Sequence, residues 1–145
     1  MQWPTDLRFL DELELPAGYA LDLLRTDDAE ALSRCLLDWY PDIAVGMESV
    51  HLDAAFLRRC ADPESDRFGV VLRHGDELVS LLTLERNERA KSVWTRLGVL
   101  HPDHRHGALA LLGPLLLERI GRFMGAELVH YYATLKSRHQ QVMAE

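Results

Sequence analysis

Leu97-Gly98-Val99-Leu100-His101-Pro102-Asp103-His104-Arg105-His106-Gly107-Ala108-Leu109-Ala110 changes character twice along its length. It begins apolar, turns polar and basic from His101 to Gly107, then opens the apolar run from Ala108 to Leu117. Val93 to Leu100 reads as a strand. Leu109, Leu112, Leu116, Ile120 and Phe123 follow at spacings of three, four, four and three, which predicts a helix with one apolar face. Gly125 is placed to end it in the left-handed conformation. Pro114 either kinks a helix that begins at Ala108 or starts a new helix of its own. Leu128 to Thr134 reads as the next strand.

Working outward, the segment before this unit reads as a meander. Phe68 to Arg73 and Leu78 to Leu84 are apolar runs separated by His74-Gly75-Asp76-Glu77, a hairpin signal. The charged stretch Glu85 to Lys91 makes the next turn. Further upstream, Tyr19 to Arg25 reads as a strand. Asp27 with Glu30 three residues on is a helix-start pattern, and Ala29, Leu32, Leu36 and Trp39 give that helix an apolar face. Tyr40-Pro41 ends it. Ser49 is placed to cap a second helix with Leu52, Phe56 and Cys60 inward. Ser137 with Gln140 marks the start of a short last helix. The order is β-α-α-β-β-β-α-β-α. Residues 1–17, acidic with two prolines, read as an N-terminal arm or a short extra element, and residues 18–145 as one domain.

Composition bounds the class. The chain has 145 residues, 48% hydrophobic and 27% charged, enough for one globular core. A net charge of −7 disfavours nucleic acid, whose binding rests on Lys and Arg neutralising phosphates. Cys35 and Cys60, with no short spacing, read as core thiols in a reducing compartment. The N-terminus has no basic stretch followed by an apolar run, and the longest apolar run is too short for a membrane span. The expectation is a cytoplasmic protein with no membrane partner.

The element order and the basic loop at 101–107 resemble the GNAT superfamily of N-acetyltransferases. That family ends its fourth strand with apolar residues, then Pro and a polar residue, then Arg/Gln-x-x-Gly-x-Gly/Ala opening a helix. Setting Arg105 first puts Ala108 on the middle Gly and Ala110 on the final small residue. The alternative register puts Gly107 on the middle Gly. The resemblance implies an α/β fold with a mixed, mainly antiparallel sheet flanked by helices. It also implies acetyl-CoA as cosubstrate, with direct transfer of the acetyl group to a small-molecule or peptide amine. Unpaired amides at a helix start carry the positive end of its dipole and suit a diphosphate. Arg105, His106, Gly107, Ala108, Leu109 and Ala110 would form that cradle. Val99 and Leu100 would pair with the pantetheine arm, and one of their amides would face the oxyanion.

Three departures accompany the resemblance. A small residue other than Gly stands at Ala108 in the first register. The chain stops inside the family's fourth helix, before two closing strands, so either it is a fragment or a partner chain supplies the edge; homo-oligomerisation is expected. Ser137 stands by position where the family often has an Asn near the thiol, and Ala144 near its acid Tyr. Candidate chemistry therefore falls on Glu85 as base and on Tyr131 or Tyr132 as acid, with Tyr132 preferred. His101, His104 and His106 lack metal-ligand spacing, so no metal is expected, and Trp39 and Trp94 read as core. A second reading is a catalytically silent binding or assembly module of the same fold.

Overall fold

The computed structural model describes residues 1–39, 53–105 and 107–131. Its sheet runs β1 (Tyr19–Leu23), β2 (Arg67–His74), β3 (Glu77–Asn87), β4 (Ser92–Leu100) and β5 (Leu128–His130), in that spatial order. The first four strands pair antiparallel; β4 and β5 are parallel, joined by the helix α3 (Leu112–Met124). Two further helices, α1 (Ala29–Trp39) and α2 (Ala54–Cys60), lie between β1 and β2 in sequence.

β2 and β3 read as continuous apolar runs because both faces of the central sheet are covered. Phe68, Val70, Leu72, Leu82 and Leu84 pack with Leu112, Leu116 and Ile120 of α3. Val71, Leu81, Leu97 and Val99 pack with Leu32 and Leu36 of α1 and Phe56 and Leu57 of α2. Burying each such Leu or Phe is worth about 1.5–3 kcal/mol, so this two-sided core dominates the fold. Gly69 lets Leu24 cross the sheet end: a Cβ there would stand 2.6 Å from Leu24 Cδ2.

The N-terminal residues are packed rather than splayed off as an arm. Trp3 is buried, stacks on Phe68 with centroids 4.9 Å apart, and donates its indole N–H to the Ser65 carbonyl at 2.9 Å. Leu10 is also buried, in a short 3-10 turn at Arg8–Leu10. Arg86 reaches the Met1 carbonyl at 2.6 Å.

Element ends differ from the sequence expectation in instructive ways. A 3-10 turn at Thr26–Asp28 precedes α1, and it is Asp28, not Asp27, whose carboxylate accepts the Arg25 amide at 3.2 Å. α2 is capped by Asp53, which accepts the Ala55 amide at 2.9 Å; Ser49 lies outside the described residues. β3 continues through the charged residues to Asn87 because Glu85 and Arg86 find ionic partners across the sheet, Glu85 with Arg96 and Arg86 with Asp66. In α3 the inner stripe is Leu112, Leu116, Leu117, Ile120 and Met124, so Phe123 turns outward, half exposed, and stacks on Phe9 at 4.5 Å. Gly125 does end α3 at φ +76°. The last predicted helix, from Ser137, lies outside the described residues.

Candidate functional site

The parallel pairing of β4 and β5 covers only Ser92↔Leu128, Val93↔Val129 and Trp94↔His130. β4 then runs on through Leu100, whereas β5 ends at His130. Beyond that parting lies a cavity of about 260 Å³ on the α3 side of the sheet. Gly98 and Leu100 of β4, Leu109 and Ala110 of the turn before α3, Leu112 and Gly113 of α3, and Tyr131 are in its wall.

Strand register decides which β4 amides face this gap. The His101 amide donates to the Val79 carbonyl at 2.7 Å, and the Cα partners are Leu81↔Val99 and Ser80↔Leu100. In an antiparallel ladder hydrogen-bonded positions alternate. The main-chain polar groups of Val99 therefore turn toward β3, and those of Gly98 and Leu100 turn toward β5. Of the two strand residues anticipated from the sequence, Leu100 presents its N–H to the gap and Val99 does not. Gly98, missed by the sequence reading, adds an open wall: a Cβ there would meet only Leu82 Cδ1, at 3.6 Å.

The ladder also carries a bulge. Thr83 pairs with Leu97 and Leu84 with Thr95, leaving Arg96 without a partner on β3. Such a residue re-aims side chains and locally ends regular pairing. Thr95, one position past the last β4–β5 pair, is 3% exposed, and its hydroxyl has no hydrogen-bond partner among the described residues.

The loop entering α3 is built by caps and clamps. His101 Nδ1 accepts the Asp103 amide at 3.1 Å, holding a 3-10 turn at Pro102–His104. Tyr19 Oη lies 2.5 Å from His104 Nδ1, tying the loop to β1. Arg105 donates from Nε to the Leu100 carbonyl at 2.8 Å and from Nη2 to the Trp39 carbonyl at 2.6 Å. Its guanidinium thus joins the end of α1 to the end of β4. The left-handed residue is Gly107, at φ +57°, and not Ala108. Gly107–Leu111 forms a 3-10 turn and α3 begins at Leu112, so Pro114 sits in the first turn of α3, where its missing N–H has no intrahelical partner to lose. His106 lies outside the described residues.

Of the catalytic candidates, Glu85 is not in the cavity wall. It sits opposite Trp94 in the ladder, bonded to Arg96 and 3.8 Å from Arg67. Tyr132 and Ser137 lie outside the described residues. Tyr131 lines the cavity against α3: a Cβ on Gly113 would stand 3.8 Å from its Cε2 and its Oη. Burial pushes the Tyr131 phenol above its ordinary pKa, keeping its proton in place. Trp39 is core, as expected, and Trp94 is half-buried, its ring 4.9 Å from that of His130. No group of three or more His, Cys, Asp or Glu side chains among the described residues is placed to hold a metal, and no described helix is long and apolar enough to cross a membrane.

No protein-family model matches the sequence, and no curated protein is significantly similar to it. Solved structures are similar in fold. An aminoglycoside acetyltransferase, meta-AAC0020, from an uncultured soil metagenomic sample and in complex with sisomicin, superposes with a TM-score of 0.69 at 12% identity, over 90% of this chain and 88% of that one. PaiA N-acetyltransferase from Thermoplasma acidophilum, in complex with coenzyme A, gives 0.68 at 14% identity, over 83% and 82%. A ribosomal-protein-alanine N-acetyltransferase from Brucella melitensis biovar Abortus 2308 gives 0.65 at 12% identity, over 86% of each chain. With β4 and β5 parallel, joined through α3 and parted beyond Trp94 and His130, this chain has the fold of the GNAT N-acetyltransferases.

Proposed function

We propose that the chain binds acetyl-CoA in the gap between β4 and β5 and transfers the acetyl group directly to an amine. The observation that carries this reading is the pairing that stops at Trp94 and opens into a cavity with a strand edge in its wall. A thin amide-bearing arm suits such a place. Leu100 N–H offers a main-chain donor, Gly98 leaves room, and the apolar side chains of Leu109, Leu112 and Leu116 line the rest. The turn at Gly107–Leu111 leads into α3, whose first amides have no intrahelical partner, so a diphosphate placed there meets unpaired donors. Arg105 supports this cradle by holding the Leu100 and Trp39 carbonyls.

In the transfer itself the amine nitrogen bonds to the acyl carbon and loses a proton, while the carbon–sulfur bond breaks. The sulfur leaves as a thiolate that needs a proton or a donor. Tyr131, neutral and inside the cavity wall, fits that donor role better than Glu85, whose oxygens are engaged by Arg96 and Arg67. Calorimetric titration with acetyl-CoA, followed by thiol release across an amine panel, tests the reading. Binding with heat and turnover is the expected result; absence of any binding removes its basis.

A silent binding module of the same fold is the second reading, supported by the ion-paired state of Glu85. It predicts acetyl-CoA binding with no thiol release for any amine.

A further inference from the structure

A second cavity, of about 470 Å³, opens at the other end of β4, with Glu85, Trp94 and Arg96 in its wall. Arg96 stands only two residues before Gly98, or about 7 Å along the strand, so this cavity and the first lie along one strand. Trp94 and His130, the last β4–β5 pair, mark the division between them.

Its charge balance runs against that of the chain, which carries −7 overall. Asp66 is taken by Arg86 at 3.2 Å, and Glu88 by the Met1 ammonium at 3.6 Å. Glu85 alone serves both Arg96 and Arg67. Arg89, in the wall, has no ionic partner among the described residues. Pairing each carboxylate once thus leaves two guanidiniums unneutralised. Arg67 Nε is moreover buried without a hydrogen-bond partner among the described residues. Arg96, aimed by the bulge, lies with its guanidinium carbon 5.5 Å from the Trp94 ring centroid, so it is held as a flat platform.

We infer that this cavity is the acceptor subsite and that it takes amines bearing a carboxylate, gripped by Arg96 and Arg67. A carboxylate is favoured over other anions because the two guanidiniums already hold one, that of Glu85, and planar guanidinium and carboxylate groups match in shape. Glu85 then acts as the internal counter-ion with which the acceptor competes. Only the word acceptor rests on the transferase reading; the anion site itself does not.

Calorimetry on the full chain, with and without saturating CoA, tests this with glycine against glycinamide, leucine against leucinamide, and O-phosphoethanolamine. The acids are expected to bind about tenfold tighter than their amides, the scale of one charge-assisted hydrogen bond. Arg96→Gln should bring acid and amide to within about threefold of one another and leave CoA affinity unchanged, since Arg96 is outside the first cavity. Glu85→Gln, nearly isosteric, should tighten the acids severalfold by freeing both guanidiniums; a base at Glu85 would instead show as lost turnover with unchanged acid binding. Amides binding as well as acids, no member of the panel binding, or a phosphate preference of tenfold or more would each overturn the assignment. Acid preference without any CoA binding would sink the transferase reading and leave the carboxylate site standing.

Discussion

Gly98→Val separates cofactor binding from folding by moving the two in opposite directions. The backbone at Gly98 is ordinary strand, with no positive φ, and a Cβ would meet only Leu82 Cδ1 at 3.6 Å. Valine therefore enters without strain and grows into the 260 Å³ cavity. Replacing Gly in a strand recovers about 0.5–1 kcal/mol of backbone entropy. Burying the two methyls against Leu82 and Leu112 adds up to about 1.5 kcal/mol, taking roughly half to all of a fully buried Val. A net gain near 1–2 kcal/mol should raise Tm by about 3–8 °C in a chain of this size. The same methyls occupy the space assigned to the pantetheine arm, and displacing it should cost at least about 2 kcal/mol, or some thirtyfold in Kd. Thermal unfolding and acetyl-CoA calorimetry on the same samples give both numbers. A more stable variant that binds acetyl-CoA within about threefold of the parent would refute the placement of the cofactor in this gap.

Thr95→Val removes a buried hydroxyl without a partner among the described residues, so stability should hold or rise by about 1 kcal/mol, measured by urea unfolding. A fall in turnover alongside unchanged stability would mean the hydroxyl meets the reacting groups. Gly121→Ala drives a Cβ to 2.5 Å from Val129 Cγ1, where α3 packs on β5, and should cost about 1–3 kcal/mol; an unchanged Tm would show that the two elements stand further apart. Tyr131→Phe should lower kcat with little change in acetyl-CoA affinity, and a loss in affinity alone would make Tyr131 a packing residue. Cys60 is buried, and its thiol is pushed up to about 12 from 9.0, chiefly by desolvation. Its neutral form is compatible with the fold at all lower pH, and the stability it contributes declines as pH rises from about 9 toward 12. Thiol reagents at pH 8 should modify Cys60 only at the rate of unfolding, and rapid labelling in the native state would contradict its burial.

Much of the fold was legible because hydrophobic period and turn chemistry agree in this chain. The Gly75 hairpin, the strand before His101 and the Gly125 cap all follow from such local signals. What local signals miss is contact between distant residues. Nothing near Arg105 announces that its donors go to the carbonyls of Leu100 and, from the end of α1, Trp39. The charges from Glu85 to Lys91 looked like a turn, yet Glu85 and Arg86 stay in β3 because partners on neighbouring segments neutralise them. Phe123 fits the helical stripe by spacing, but the stripe passes to Met124, and Phe9 from the N-terminal segment covers Phe123 instead. The register of the phosphate loop turned on one residue; a left-handed conformation that suits Gly107 and strains Ala decided it.

Coverage of β2 and β3 on both sides has a consequence for how reliably the sheet assembles. In a half-buried sheet, sliding one strand by a residue exposes its oily side, and that penalty polices alignment. Here a slipped strand would still find grease above and below, so the deterrent is weak. Alignment must instead come from fixed pins: the two-residue bend at Gly75, the notch at Gly69 that admits only Leu24, and the extra residue at Arg96. Damage to any of these three should yield misaligned, slowly sorting chains sooner than it yields unfolded ones.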